Sequence, residues 1–423
     1  MGQSIKKITG VSSTHRVGHW LPADKDDLNF WLDDTIKAAE KHNAPYHPVI
    51  KKFEELIETD PQVYLYFSQM FSQVPHGLKI PPHSGDIRIK NYTQMLKVIN
   101  HVLTTAPEFD TTGMVGCPIN AILDLTMNTA AGYAAFLCDK VNVLFKEVLN
   151  TWAKFLDSPD SLYVLNTTNK GWMGEAAKKA IKIELFKLQP DEPYWGFKSW
   201  NDFFIREFKE GERPVAEPDN DKVIVSACES QPFAISTNVQ RYSQFWLKSQ
   251  PYSLEHMLAG NHVNEFVGGT VYQAFLSAEN YHRWHSPVSG IIKTILIKDG
   301  TYYSEAWSEG FDPAGPNNSQ AYIAHVAARA LIFIESKEPV VGLMCFMAIG
   351  MVEVSSCKVT VKEGQEVAKG GQLGYFQFGG STHCLVFRKG AIASFNVEAI
   401  PVNQAYAAAQ PIVNVNAMIA TAN

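Results

Sequence analysis

The sequence has no long basic run, no paired cysteines and no apolar stretch near the roughly 20 residues that span a bilayer. Each absence excludes a class of protein. Phosphate binding needs clustered Lys and Arg, and here 37 basic residues face 43 acidic ones for a net charge of −6, so nucleic acid is not an expected partner. The six cysteines (117, 138, 228, 345, 357 and 384) form no Cys-x-x-Cys pair. That argues against a zinc ribbon and a disulfide framework and for a reducing compartment. The N-terminal "MGQSIKKITG" lacks the apolar core of a signal peptide. These absences predict a cytoplasmic protein without stable membrane insertion.

What is present fits a globular chain: 423 residues, 46% hydrophobic and 19% charged, enough for two or three domains' worth of core. The first 210 or so residues read as helical. "PVIKKFEELIETDPQVYLYFSQMFSQV" (48–74) and "NYTQMLKVINHVLTT" (91–105) repeat apolar residues at spacings of three and four, and 128–161 reads as one long helix. Four prolines mark 190–222 as a junction, inside which "SWNDFFIREF" carries the N-cap Ser199 and an acidic first turn at Asp202. After about residue 222 the language becomes that of strands: "KVIVSA", "GIIKTILIKDG", "GLMCFMAIGMVEV" and "CLVF" are rich in Val and Ile between glycines. Residues 288–304 and 354–370 also echo one another, each running Val-Ser, strand, Lys-(Asp/Glu)-Gly, strand. The predicted class is α+β, with a helical region over 1–190 and a β-rich domain over 191–423 built from duplicated hairpin or sandwich-like units.

Three short stretches hold candidate chemistry. In "ENYHRWHSPVSG" (279–290), His282 and His285 stand three apart between Tyr281, Trp284 and a Ser-Pro turn. A metal needs a third ligand and none is supplied nearby, so general acid–base work competes with a structural role on even terms. Glu229, in "VIVSACESQPF", ends a strand-like run; alone it reads as a solvated carboxylate, and it gains meaning only where the fold brings it to a histidine whose tautomer it fixes. Ser381, in "QFGGSTHC", follows two glycines that free the backbone. Residue 383 is His, so this is no Gly-x-Ser-x-Gly elbow, and a hairpin turn explains the bare motif as well.

The order of these pieces is more telling than any one of them. "FKSWNDFFIREFKEGERPV", "VSACES", "YHRWHSPVSG" and "EGQEVAKGGQLGYFQFGGST" follow one another as in the phosphatidylserine decarboxylase family of pyruvoyl enzymes, which the chain resembles over about 195–390. Within that family, "NTAAGYAAF", "WAKFLDSPDS", "SACES" and "FGGS" are similar to the soluble fungal L-tryptophan decarboxylases of the psilocybin-pathway type. The resemblance implies self-cleavage between Gly380 and Ser381. Ser381 Oγ attacks the Gly380 carbonyl, elimination splits the ester, and hydrolysis leaves a pyruvoyl group on an α chain of 381–423 beside a β chain of 1–380. That group would form a Schiff base with a small amino-acid substrate, L-tryptophan first, releasing tryptamine and CO₂ with no need of pyridoxal phosphate. By the same resemblance His285 serves as the base for self-cleavage, His282 serves decarboxylation, and Glu229 orients a histidine.

Trp284 and Phe378 flank the motifs and are candidates to line the substrate pocket, with core packing as the competing reading. The sequence departs from the lipid-cleaving members at Glu229-Ser230, where they carry Asp-Gly, and at Gly379, where they carry Leu. Two other readings compete: the same chemistry on phosphatidylserine or another amino acid, and a non-cleaving binding or carrier protein. The carrier reading lacks a lysine in a hairpin-tip setting.

Overall fold

Asp60-Pro61 divides what the periodicity predicts as one helix. Proline cannot donate a backbone hydrogen bond inside a helix, and in the computed structural model α1 (Lys25–His42) is followed by α2 (Pro48–Thr59) and α3 (Pro61–Gln69). Asp60 closes the break by capping α3, accepting from Gln62 and Val63 N–H. The structure describes residues 21–22, 25–42, 44–75, 78–80, 83–85, 87–110, 115–243, 252–277, 279–310, 319–353, 356–378, 381–401 and 411–423. After a two-stranded ladder, β1 (Leu78–Ile80) with β2 (His83–Gly85), come α4 (Tyr92–Val102) and α5 (Pro118–Met127). The helix expected over 128–161 is two, α6 (Ala130–Leu137) and α7 (Asp139–Leu156), separated by the extended Cys138. Next are α8 (Glu175–Ile181) and α9 (Trp200–Phe204). Ser199 caps α9 as its sequence predicts, accepting from Asp202 N–H at 3.0 Å.

The β-rich half contains β3 (Val223–Val225), β4 (Gln231–Val239), β5 (Gly269–Leu276), β6 (Arg283–His285), β7 (Gly290–Lys298), β8 (Arg329–Ser336), β9 (Leu343–Gly350), β10 (Ser356–Val359), β11 (Glu366–Val367), β12 (Gln372–Gln377), β13 (Ser381–Phe387), β14 (Ile392–Phe395) and β15 (Met418–Ala422). Short helices α10 (Leu254–Met257), α11 (Val263–Phe266) and α12 (Gln320–Val326) interrupt it. Seven strands form one antiparallel sheet in the order β11-β7-β8-β9-β13-β5-β4. Two three-stranded sheets, β10-β12-β6 and β14-β15-β3, complete the β layers. The strands of the two echoing segments pair with one another, Glu366 with Ile291 and Val367 with Gly290, rather than each closing its own hairpin.

Alternation of side chains along each strand gives the large sheet two buried faces. On one, Val271, Phe275, Leu331, Phe333, Met347 and Val386 join the helical core. On the other, Tyr272, Ile332, Phe346, Leu385 and Phe387 pack with Trp284 and Phe376 of the small β10-β12-β6 sheet. The helical and β-rich halves therefore share a core. Strand β13 runs through the middle of it, every residue buried, with β9 on one side and β5 on the other.

Candidate active site

Ser381 is the first residue of β13, opposite Gly350 of β9 and Leu276 of β5. It is fully buried, and its Oγ has no hydrogen-bond partner among the described residues. By alternation with Leu385 and Phe387 its side chain belongs to the face that meets the small sheets, as does His383. His383 lies between Tyr272 and Phe346, with ring centroids 6.2 and 6.0 Å away, and burial pushes its pKa down to about 3. Thr382 faces the helical side. Its hydroxyl donates to the Ala274 carbonyl at 3.0 Å and accepts from Gln273, which also bonds the Gln320 carbonyl of α12. Gly379 and Gly380, with the expected cleavage bond, lie outside the described residues.

Just before them, Phe378 is 4% exposed and packs edge-on against Trp152 of α7 (4.6 Å) and Trp200 of α9 (4.4 Å). Phe204 contacts the same ring at 5.4 Å and stacks on His282 at 4.0 Å with 23° between planes. One aromatic cluster thus ties the run-up to Ser381 to His282. The His282 carbonyl accepts from Phe376 N–H at 3.0 Å. Burial first, and then the Arg206 guanidinium, press the His282 pKa well below its ordinary value; the Asn280 and Ser277 backbone acts the other way.

His285 sits farther back along β12, opposite Gln372, which precedes Ser381 by nine residues where Phe376 precedes it by five. Its Nδ1 meets the Gly370 carbonyl at 2.7 Å and its Nε2 meets the Tyr281 hydroxyl at 2.9 Å. Gly370 has φ +80, so the turn presenting that carbonyl suits glycine. Burial lowers the His285 pKa, and the Gly370 carbonyl partly offsets this.

Glu229 is buried but does not meet the His285 nitrogens. Arg213 grips its carboxylate through Nη2 at 2.6 Å and Nε at 3.1 Å, and Val415 N–H donates to Oε2 at 2.8 Å. Glu229, expected to orient a histidine, is held here by this ion pair. A buried carboxylate needs a full countercharge, which Arg213 supplies, and both His285 nitrogens are taken by Gly370 and Tyr281. The two aromatic candidates are packed into the core among the described residues. Trp284 is fully buried beside Phe346 and Phe376 and lies so close over Gly374 that an added Cβ there would sit 2.6 Å from its ring. Phe378 is core for the reason above.

A cavity of about 920 Å³ opens at the same end of the large sheet, walled by Tyr133, Trp307, Tyr322, His325 and Arg329. Arg329 pairs with Ile349, and Ile349 with Thr382, so the cavity wall is two strand spacings, about 10 Å, from the start of β13 and on the helical face that Thr382 shares, opposite to the face of Ser381.

Comparison with known proteins gives the family. Sequence profiles described as phosphatidylserine decarboxylase match residues 47–181 and 200–414. The chain belongs to the phosphatidylserine decarboxylase family. It is 34% identical to an L-tryptophan decarboxylase of Psilocybe cubensis over 91% of both chains. It is also 42% identical to a decarboxylase, iboD, of Amanita muscaria over 66% of this chain and 86% of that one. A phosphatidylserine decarboxylase proenzyme of Schizosaccharomyces pombe is 37% identical over 49% of this chain. Membership makes the protein a carboxy-lyase, in a family that is pyruvoyl-dependent in general, and displaces the reading as a binding or carrier protein. Among the described residues no helix is long and apolar enough to cross a membrane. Sequence reasoning missed Arg213, although "GERPV" lies inside a quoted motif. It also passed over Glu353, a single acid in an otherwise apolar run, which was the available signal.

Proposed function

We propose that the chain cleaves itself between Gly380 and Ser381 and then decarboxylates an aromatic L-amino acid, L-tryptophan first, to tryptamine and CO₂. The observation that carries the reading is Ser381 itself: a fully buried hydroxyl without a hydrogen-bond partner among the described residues, on the first residue of a central strand. A buried orphan hydroxyl costs about 1–3 kcal/mol and marks a site held for chemistry rather than packing. Residue 381 fits a pyruvoyl group, because an apolar core surrounds it and the small fragment stays bound after cleavage. Strand β13 pairs along its whole length with β9 and β5, and Val415 and β15 hold the other end of the 381–423 chain against the 1–380 chain.

A ketone at residue 381 would take up the electron pair of the breaking carbon–carboxylate bond. The protein supplies dryness, position and protons. The 34% identity to a tryptophan decarboxylase over most of the chain supports the same substrate. We take residues 1–190 as the helical domain and 191–423 as the catalytic one. Six free cysteines suit the cytoplasm.

Self-cleavage needs a base for Ser381. The family resemblance gives that role to His285 and decarboxylation to His282. A second reading exchanges them, favoured by the shorter run along β12 from His282 to Ser381 and by the bonds that occupy both nitrogens of His285. Intact mass tests the whole scheme. The 47.1 kDa wild type should yield fragments of roughly 42 and 5 kDa by length, the smaller with a ketone-bearing N-terminus, and Ser381→Ala should stay whole. A whole wild type sinks the proposal. Of His282→Ala and His285→Ala, the one that stays whole names the base. Amine release from tryptophan set against phosphatidylserine then decides the substrate.

A further inference from the structure

We infer that Glu353 is the acid that returns a proton to the substrate carbon after the carboxylate has left, an inference that rests on the decarboxylase reading above. Two strand pairings place it. Gly350 of β9 lies opposite Ser381, and Ser356 of β10 lies opposite Gln377 of β12. Those pairings bracket residues 351–355 on one chain run and 378–380 on the other. Glu353 is three residues beyond Gly350, in the sequence between β9 and β10.

The carboxyl group is 3% exposed and held from one side only. Its Oε1 accepts from Asn120 N–H, in the first turn of α5, at 2.8 Å, while Oε2 is buried with no hydrogen-bond partner among the described residues. Ile119 N–H and the Cys117 thiol also face it from the start of α5, and the Tyr303 hydroxyl is near enough to feel its charge. Val352, immediately before it, has φ +52, an unfavourable backbone for a β-branched residue that persists only where the surroundings impose it. The competing explanation is a helix cap. A cap needs one acceptor oxygen, which glutamine supplies equally well, and it gives no reason to bury the second oxygen unpaired.

The proton inventory points the same way. The imidazoles of His282 and His383 are pressed toward their neutral forms, and burial raises the Tyr303 hydroxyl, so none of them gives up a proton readily at neutral pH. Burial raises Glu353 to about 7, the range in which a general acid both holds and releases a proton. In the step, the bond from the substrate carbon to CO₂ breaks and leaves its electron pair. The Glu353 Oε2–H bond then breaks, its proton forms the new C–H bond, and the carboxylate left behind regains a proton from water.

Glu353→Gln tests this, because glutamine keeps the acceptor for Asn120 N–H and removes the acid. We expect the variant to cleave into the same two fragments with kcat lowered by about 10²–10⁴ and KM changed little. The wild type should show kcat falling as pH rises through about 7, and that limb should vanish in the variant. A readout independent of rate is the small fragment's mass during turnover. If the substrate carbon goes unprotonated, a proton lands instead on the carbon of residue 381, the substrate leaves as an aldehyde, and its nitrogen stays behind, turning the ketone into an N-terminal alanine. We expect this conversion in Glu353→Gln and not in the wild type. A cleaved variant with wild-type kcat and pH limb overturns the inference alone, and so does a wild type whose kcat is flat through neutral pH. A variant that fails to cleave while the wild type cleaves assigns Glu353 to processing and overturns it too. A wild type that never cleaves takes down the parent reading with it.

Discussion

Replacing Phe378 with alanine should slow self-cleavage far more than its effect on stability explains. The ring is 4% exposed and wedged among Trp152, Trp200 and Phe204 at 4.4 to 5.4 Å. Truncating a buried Phe to Ala costs about 3–5 kcal/mol, part of it the aromatic contacts themselves. An unfolding entropy of about 2.1 cal/mol/K per residue over 423 residues gives about 0.9 kcal/mol/K, so Tm should fall by about 3–6 °C. That fall leaves nearly every molecule folded at 25 °C. The same cavity, however, removes the contact that anchors the chain three residues before Ser381 and loosens Phe204, on which His282 stacks. The assay is the half-time of fragment appearance by intact mass, beside the melting curve. Phe387→Ala, at the far end of the same strand and equally buried, is the control. It should lose similar stability and cleave at the wild-type rate. If Phe378→Ala cleaves normally while melting lower, or both variants cleave equally slowly, the aromatic anchor has no part in processing.

Two further outcomes follow from buried charges. Arg213→Met should destabilise by about 3–5 kcal/mol because it strands the Glu229 carboxylate, whereas Arg213→Met with Glu229→Gln should recover most of that loss in a urea titration; a double variant no better than the single one refutes the pairing. His383 has a folded pKa depressed to about 3, so its contribution to stability is full above the ordinary histidine range and is lost as pH falls from there toward 3, by up to about 1.4 kcal/mol per pH unit. His383→Phe should therefore flatten the urea midpoint between pH 6 and pH 4 relative to wild type, and an unchanged slope would show that some other group carries it.

The family proved legible in sequence because it depended on order along the chain. Four motifs in succession gave the family, and glycines before Ser381 marked the expected cleavage position before any contact was visible. Periodicity gave the helical and β-rich halves, because amphipathic spacing is a local property. It did not give the breaks at Pro61 and Cys138, where short caps override a continuing apolar stripe. Nor did it show that residues 288–304 and 354–370 meet each other instead of folding alone, since strand partners are chosen by registry across the sheet.

Only the tertiary structure decided what each candidate side chain touches. Glu229 takes Arg213 for a partner because a buried carboxylate needs a full countercharge, and Trp284 and Phe378 become core because a small sheet covers one and helices cover the other. Glu353 reads as a lone acid in an apolar run until Gly350 lines up with Ser381. The order of groups that can react was written in the chain; their burial, and with it their charge and reach, came from distant segments folding onto one central strand.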